Sequence, residues 1–209
     1  MNLEIKKNLL TFSSILIYLT PFALLTGAFF PDLFLVVTSL IILYIILKER
    51  QYIYFKNNFF IFFTLFFFIL ILSSLLSQNI FFSLKSSLVY FRFGIFALAI
   101  WFLIENQKNF IKYFTIIFFI TYLIALFDGY FQYINGQSIF GVADINNHVR
   151  LNLLLNDKLI LGGYLARLFP LLMALIIFNY ESNNKFYYFT IGALIILTDI
   201  LVYMTGERT

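Results

Sequence analysis

The chain has 209 residues, 62% of them hydrophobic and 11% charged, with a formal net charge of +4. So little charge excludes a soluble globule of this size, whose water-facing surface needs far more of it. The absence of cysteine excludes disulfides and thiolate metal sites. Nucleic-acid binding is excluded because the Lys and Arg residues are scattered between apolar blocks rather than gathered on one surface.

The first apolar run, Leu9 to about Gly27, follows Lys6-Lys7. It is too long for a signal-peptide core and lacks an Ala-x-Ala cleavage pattern, so it reads as a retained first span. The turn Phe30-Pro31-Asp32 leads into a second span from about Leu33 to Leu47, with Pro suited to a helix start and Asp32 to capping it. Five more spans are predicted near residues 59–76, 88–104, 113–127, 159–178 and 186–204. Each is close to the length that crosses roughly 30 Å of hydrocarbon. Runs such as Phe59-Phe60-Ile61-Phe62-Phe63 do not alternate in polarity, which excludes a membrane β-barrel. The expected fold is an all-α integral membrane protein of about seven transmembrane helices. No repeat or linker divides residues 1–209, which read as a single transmembrane domain.

With the N-terminus inside, the inner segments hold Lys6, Lys7, Lys48, Arg50, Lys56, Lys108, Lys112 and Lys185, and the outer ones hold Lys85, Arg150, Lys158 and Arg208. Eight basic residues against four predict an N-in, C-out orientation by the bias of Lys and Arg toward the cytoplasm. Two outer segments exceed a simple turn. Residues 77–87 mix apolar and polar side chains and suit a short helix lying in the interface. Asp128 to Lys158 forms a 31-residue loop between spans five and six, with Gly129, Gly136 and Gly141 and the turn Asn135-Gly136. A loop that long among short connections is where function concentrates.

Arg167 in the sixth span and Asp199 in the seventh both fall in the outer half of the membrane, where an ionised side chain is costly unless paired or wet. A structural ion pair between them is the expectation, with snorkelling of Arg167 toward the headgroups as the alternative. Arg92 near the outer end of the fourth span, with Arg150 and Arg208, brings four arginines to the outer side. The planar guanidinium fork suits phosphate and pyrophosphate, and it keeps its charge; ordinary anionic headgroups are the plainer ligands. His148, the lone histidine, has no identifiable partner and reads as an exposed polar residue. Asp128, Asp144 and Asp157 have no metal-site spacing, and no phosphate-binding or dinucleotide glycine motif is present. No metal, no cofactor and no catalytic residue is assigned.

The series Asp128-Gly129-Tyr130-Phe131-Gln132-Tyr133-Ile134-Asn135-Gly136, Phe140-Gly141, Arg150, Leu161-Gly162-Gly163-Tyr164-Leu165-Ala166-Arg167 and Pro170, closing with Thr205-Gly206-Glu207-Arg208-Thr209, resembles the O-antigen ligase and O-antigen polymerase superfamily. In that family a multi-span half leads to a Ser/Thr-Gly-x-Arg motif just outside a helix, where Thr205 to Arg208 stands. The specific part of the likeness covers roughly residues 128 to 209. It implies a multi-span glycosyltransferase of the bacterial inner membrane that moves a glycan from undecaprenyl pyrophosphate to an acceptor on the periplasmic side. The acceptor is the lipid A core for ligases and another lipid-linked glycan for polymerases. The resemblance makes Arg208 the first candidate for the pyrophosphate, then Arg150 and Arg167, then Arg92.

Family members have ten to twelve or more spans and a large later periplasmic loop carrying a His, which His148 does not match. The expectation is therefore an N-terminal portion lacking part of its active site and not competent alone. A transporter or flippase for a lipid or small solute is the alternative, because intramembrane charge also marks transport pathways; the repeated halves and broken midplane helices common in transporters are not visible.

Overall fold

The computed structural model describes residues 3–139, 161–179 and 185–205. It contains seven α-helices: α1 Leu3–Thr26, α2 Phe29–Lys48, α3 Asn58–Leu75, α4 Ile80–Asn106, α5 Phe110–Asn135, α6 Leu161–Asn179 and α7 Lys185–Met204, with a 3-10 turn at Tyr52–Phe55. Among the described residues there is no sheet. Helices α1 to α6 are long and apolar enough to cross a membrane. Their outer faces are apolar as well: Phe62 is 69% and Ile69 61% exposed on α3, which only lipid solvates cheaply. The protein is a multi-pass, all-α membrane protein.

The contacts divide the chain into two compact units, Met1–Ile17 with Asp32–Phe110 and Tyr18–Pro31 with Ile111–Thr209. In the first, α3 packs on α4. Gly94 of α4 is the point of closest approach, since any Cβ there would run into the Phe63 ring. Helix α3 starts at an N-cap, Asn57, whose Oδ1 accepts from the Phe60 N–H at 2.7 Å while its Nδ2 donates to the Tyr54 carbonyl at 2.6 Å.

The interfacial helix expected at residues 77–87 is not separate: α4 runs without a break from Ile80. The serines that made this stretch look loop-like satisfy themselves within the α3–α4 hairpin. Ser77 Oγ donates to the Ser74 carbonyl at 2.8 Å and shares a second hydrogen bond with the Ser83 hydroxyl at 2.8 Å, and the Ser74 and Ser87 hydroxyls bond across the pair. With those polar groups paired, nothing in Ile80–Asn106 interrupts the helix.

In the second unit, α6 packs on α7, and the core joins Leu25 of α1 with Phe118, Tyr122, Leu165, Leu172, Leu194 and Leu201. Helix α5 also outruns its predicted span: Asp128 to Asn135, read as the start of an external loop, is helical. Gly136, at φ +72°, ends it, its N–H bonding back to the Gln132 carbonyl at 2.8 Å. Gly129 is a packing glycine rather than a turn glycine, since a Cβ there would stand 2.6 Å from Leu201 Cδ2 and 3.0 Å from Leu161 Cδ2.

Candidate functional site

The described parts of α5, α6 and α7 around Gly129, Gly162 and Thr205 meet at one end of the second unit. Gly129 on α5 lies against Leu161 at the start of α6 and Leu201 near the end of α7, and Gly162 abuts the Thr205 side chain, with room for no Cβ between them. Thr205 is fully buried and its hydroxyl donates to the Val202 carbonyl at 2.7 Å. Thr205 is thus a packing residue at the end of α7, directly beside the first turn of α6. Gly162 is required there because a close helix approach leaves no room for a side chain.

Asp128 anchors the α5 side of this end. Its carboxylate is fully buried and accepts from Gln132 Nε2 at 2.5 Å, Ser138 Oγ at 3.2 Å and the Ile139 N–H at 2.9 Å. The Asp128 oxygens are taken up by Gln132 and by the turn that follows α5. A buried carboxylate with partners on its lone pairs does not end a helix at the membrane edge, which is why α5 continues past it. The adjacent Gln132, four residues on, was the readable signal. Deeper in the unit, the Tyr122 hydroxyl shares hydrogen bonds with the Leu165 carbonyl (3.2 Å) and the Thr198 hydroxyl (3.1 Å). Tyr164 donates to the Pro21 carbonyl at 2.9 Å, and Tyr130 to the Leu197 carbonyl at 2.8 Å. These three tyrosines tie α5, α6, α7 and the second half of α1 together.

Arg167 lies five residues beyond Gly162 on α6, and Asp199 six residues before Thr205 on α7. From the Gly162–Thr205 contact, that places both at a depth of roughly 8 to 9 Å at the α-helical rise. Both side chains are exposed. The ion pairs among the described residues are Lys6–Glu49 and Arg92–Asp32; the expected Arg167–Asp199 pair is not one of them, and both residues stay exposed while Leu165, Leu172, Leu194 and Leu201 fill the core. Pro170 withholds the N–H that would bond the Ala166 carbonyl, which leaves a backbone acceptor next to Arg167.

The other predicted arginines fare differently. Arg92 belongs to the first unit, where its guanidinium donates to Asp32 at 2.8 Å and lies 5.0 Å from the Phe93 ring centre. Asp32, read as a helix cap, is instead the counter-ion of Arg92 across 60 positions of sequence. Arg150 and Arg208 lie outside the described residues, as do His148, Asp144 and Asp157. Among the described residues no group of three or more metal-ligating side chains occurs.

No family model matches the chain, and no curated protein or solved structure matches it either. The fold and the site geometry place it among multi-span α-helical membrane proteins, with one arginine and one aspartate exposed at matched depth on two packed helices.

Proposed function

We propose that this chain is a membrane glycosyltransferase of the O-antigen ligase or O-antigen polymerase type. On this reading it moves a glycan from undecaprenyl pyrophosphate to a lipid A core or to another lipid-linked glycan, at the periplasmic face of the bacterial inner membrane. The observation that carries the reading is Arg167, a permanently charged side chain exposed within a span and free of any hydrogen-bond or ion-pair partner among the described residues. A guanidinium at that depth is expensive unless an anion reaches it. A pyrophosphate whose polyprenyl tail lies in the bilayer supplies such an anion at the membrane surface, toward which an arginine side chain extends.

The α5, α6 and α7 segments that carry the sequence resemblance pack into one end of one unit, which supports a shared site rather than scattered motifs. In that site Arg167, with Arg150 and Arg208 on the strength of the sequence pattern, would take the pyrophosphate oxygens through paired charge-assisted hydrogen bonds. The same groups stabilise the charge that grows on the pyrophosphate as the sugar leaves. Arg92 is engaged by Asp32 and has no part in this reading.

The test is lipid binding to the full chain in nanodiscs. Undecaprenyl pyrophosphate is expected to bind at least about tenfold more tightly than phosphatidylglycerol. Arg167→Ala is expected to lower that affinity by roughly tenfold or more, the loss of hydrogen bonds to a charged group, while Lys112→Ala leaves it unchanged. Equal affinity for the two lipids, or an Arg167→Ala variant as tight as wild type, overturns the reading.

A further inference from the structure

The first unit carries a second concentration of positive charge, at the end where α1 begins, α2 and α4 finish and α3 begins. Contacts bring these termini together: Lys6 Nζ lies 2.6 Å from Glu49 Oε2 at the end of α2, and the Tyr54 hydroxyl donates at 2.6 Å to Glu105 near the end of α4. Glu4 opens α1 at this end, and the other two acids there are already in use. Glu49 takes Lys6 and Gln51, and Glu105 takes Tyr54 and, at 2.6 Å, the Trp101 indole N–H. The cations of the connecting loop are not. Lys48, Arg50 and Lys56 are exposed, Lys48 bonding only the neutral Tyr44 hydroxyl, and Arg50 and Lys56 make no side-chain hydrogen bond or ion pair among the described residues.

The backbone adds a second observation. Helix α2 closes with the Gln51 N–H on the Ile46 carbonyl at 3.0 Å and the Arg50 N–H on the Leu47 carbonyl at 3.3 Å, with Arg50 at φ 55°. That is the left-handed position after a helix end that glycine fills without strain. An arginine there costs conformational energy that a glycine would not, a strain that points to a use for its side chain. Between Arg50 and Lys56, Tyr52 and Ile53 stand exposed, Ile53 at 76%, while Tyr54 turns inward against Trp101 and Phe102. The loop is thus a rigid turn with apolar and aromatic side chains outward and cations on either side, the composition of an interfacial membrane anchor.

We propose that the α2–α3 loop is a binding site for the phosphate headgroup of an anionic phospholipid, with Arg50 and Lys56 on the phosphate, Lys48 adding charge, and Tyr52 and Ile53 seated at the headgroup–acyl boundary. The Tyr54–Glu105–Trp101 contacts hold the turn in place from beneath. This site stands in a different unit from Arg167 and does not depend on the enzymatic reading.

The experiment incubates the purified full chain with equimolar phosphatidylglycerol and phosphatidylcholine and counts retained lipid by native mass spectrometry. Wild type is expected to retain phosphatidylglycerol preferentially. The preference should fall by on the order of fivefold for each cation removed in Arg50→Gly and Lys56→Ala, and Arg50→Lys should keep most of it. Arg50→Gly relieves the strained backbone, so loss of binding in that variant is not loss of fold; unchanged emission from Trp101, the lone tryptophan, checks this directly. Equal retention of the two lipids by wild type, or full preference in the Arg50→Gly, Lys56→Ala double variant, overturns the proposal.

Discussion

Tyr54 illustrates how a single side chain holds a connecting turn. Burial, reinforced by the hydrogen bond to the Glu105 carboxylate, pushes its phenol up to about 12 from the ordinary 10.0. The neutral phenol is the form the fold favours. Its contribution to stability is therefore complete below pH 10, and it fades as pH rises from 10 toward 12. Tyr54→Phe is expected to cost about 1 kcal/mol at neutral pH, a modest figure because Glu105 is open to solvent. The cost should shrink across that alkaline window, as thermal unfolding of the two proteins at pH 8 and pH 11.5 would record; an undiminished difference at high pH would show that the hydrogen bond is not its source. The Arg92–Asp32 pair belongs to the same scale. Neither residue names its partner in the sequence, since they are 60 positions apart and each has a plausible local role, Asp32 as a cap and Arg92 as an interfacial cation.

Among the elements, the α6–α7 pair depends on a contact with no spare volume. Gly162→Ala would place its Cβ 3.0 Å from Thr205 Cβ and 3.2 Å from Thr205 Cγ2, with the hydroxyl closer still. The expected cost is about 1–3 kcal/mol of overpacking strain. Adding Thr205→Ala should recover part of it, a coupling of about 1 kcal/mol in a double-mutant cycle read by thermal unfolding; strictly additive effects would mean that the helices separate freely at this point. The apolar blocks were legible at this scale because an uninterrupted run of some twenty apolar residues admits one structure in lipid. The ends were not. Residues 77–87 and 128–135 are polar enough to pass for loops, and only the partners that the fold supplies, Ser74 to Ser87 across a hairpin and Asp128 to Ser138 and Ile139 around a turn, let the helices continue through them. Gly129 shows the same limit, since a glycine near Asn135-Gly136 reads as turn chemistry until Leu161 and Leu201 are seen against it.

For the molecule as a whole, the chain forms two compact units. One carries a basic end with Glu49 and Glu105 already engaged. The other gathers α5, α6 and α7 around Gly162 and Thr205 and leaves Arg167 and Asp199 exposed. Of the pyrophosphate candidates, Arg92 is engaged by Asp32, and Arg167 lies on a span without an ion pair to Asp199 among the described residues. The central claim is that a polyprenyl pyrophosphate docks where α5, α6 and α7 meet. It is tested most directly by photo-crosslinking the nanodisc-embedded chain with a diazirine-bearing polyprenyl pyrophosphate and mapping the labelled peptides. The account predicts label on the peptides around Gly162–Pro170 and Thr198–Thr209, suppressed by unlabelled undecaprenyl pyrophosphate; label spread over α3 and α4, or label that the unlabelled lipid does not displace, would contradict it.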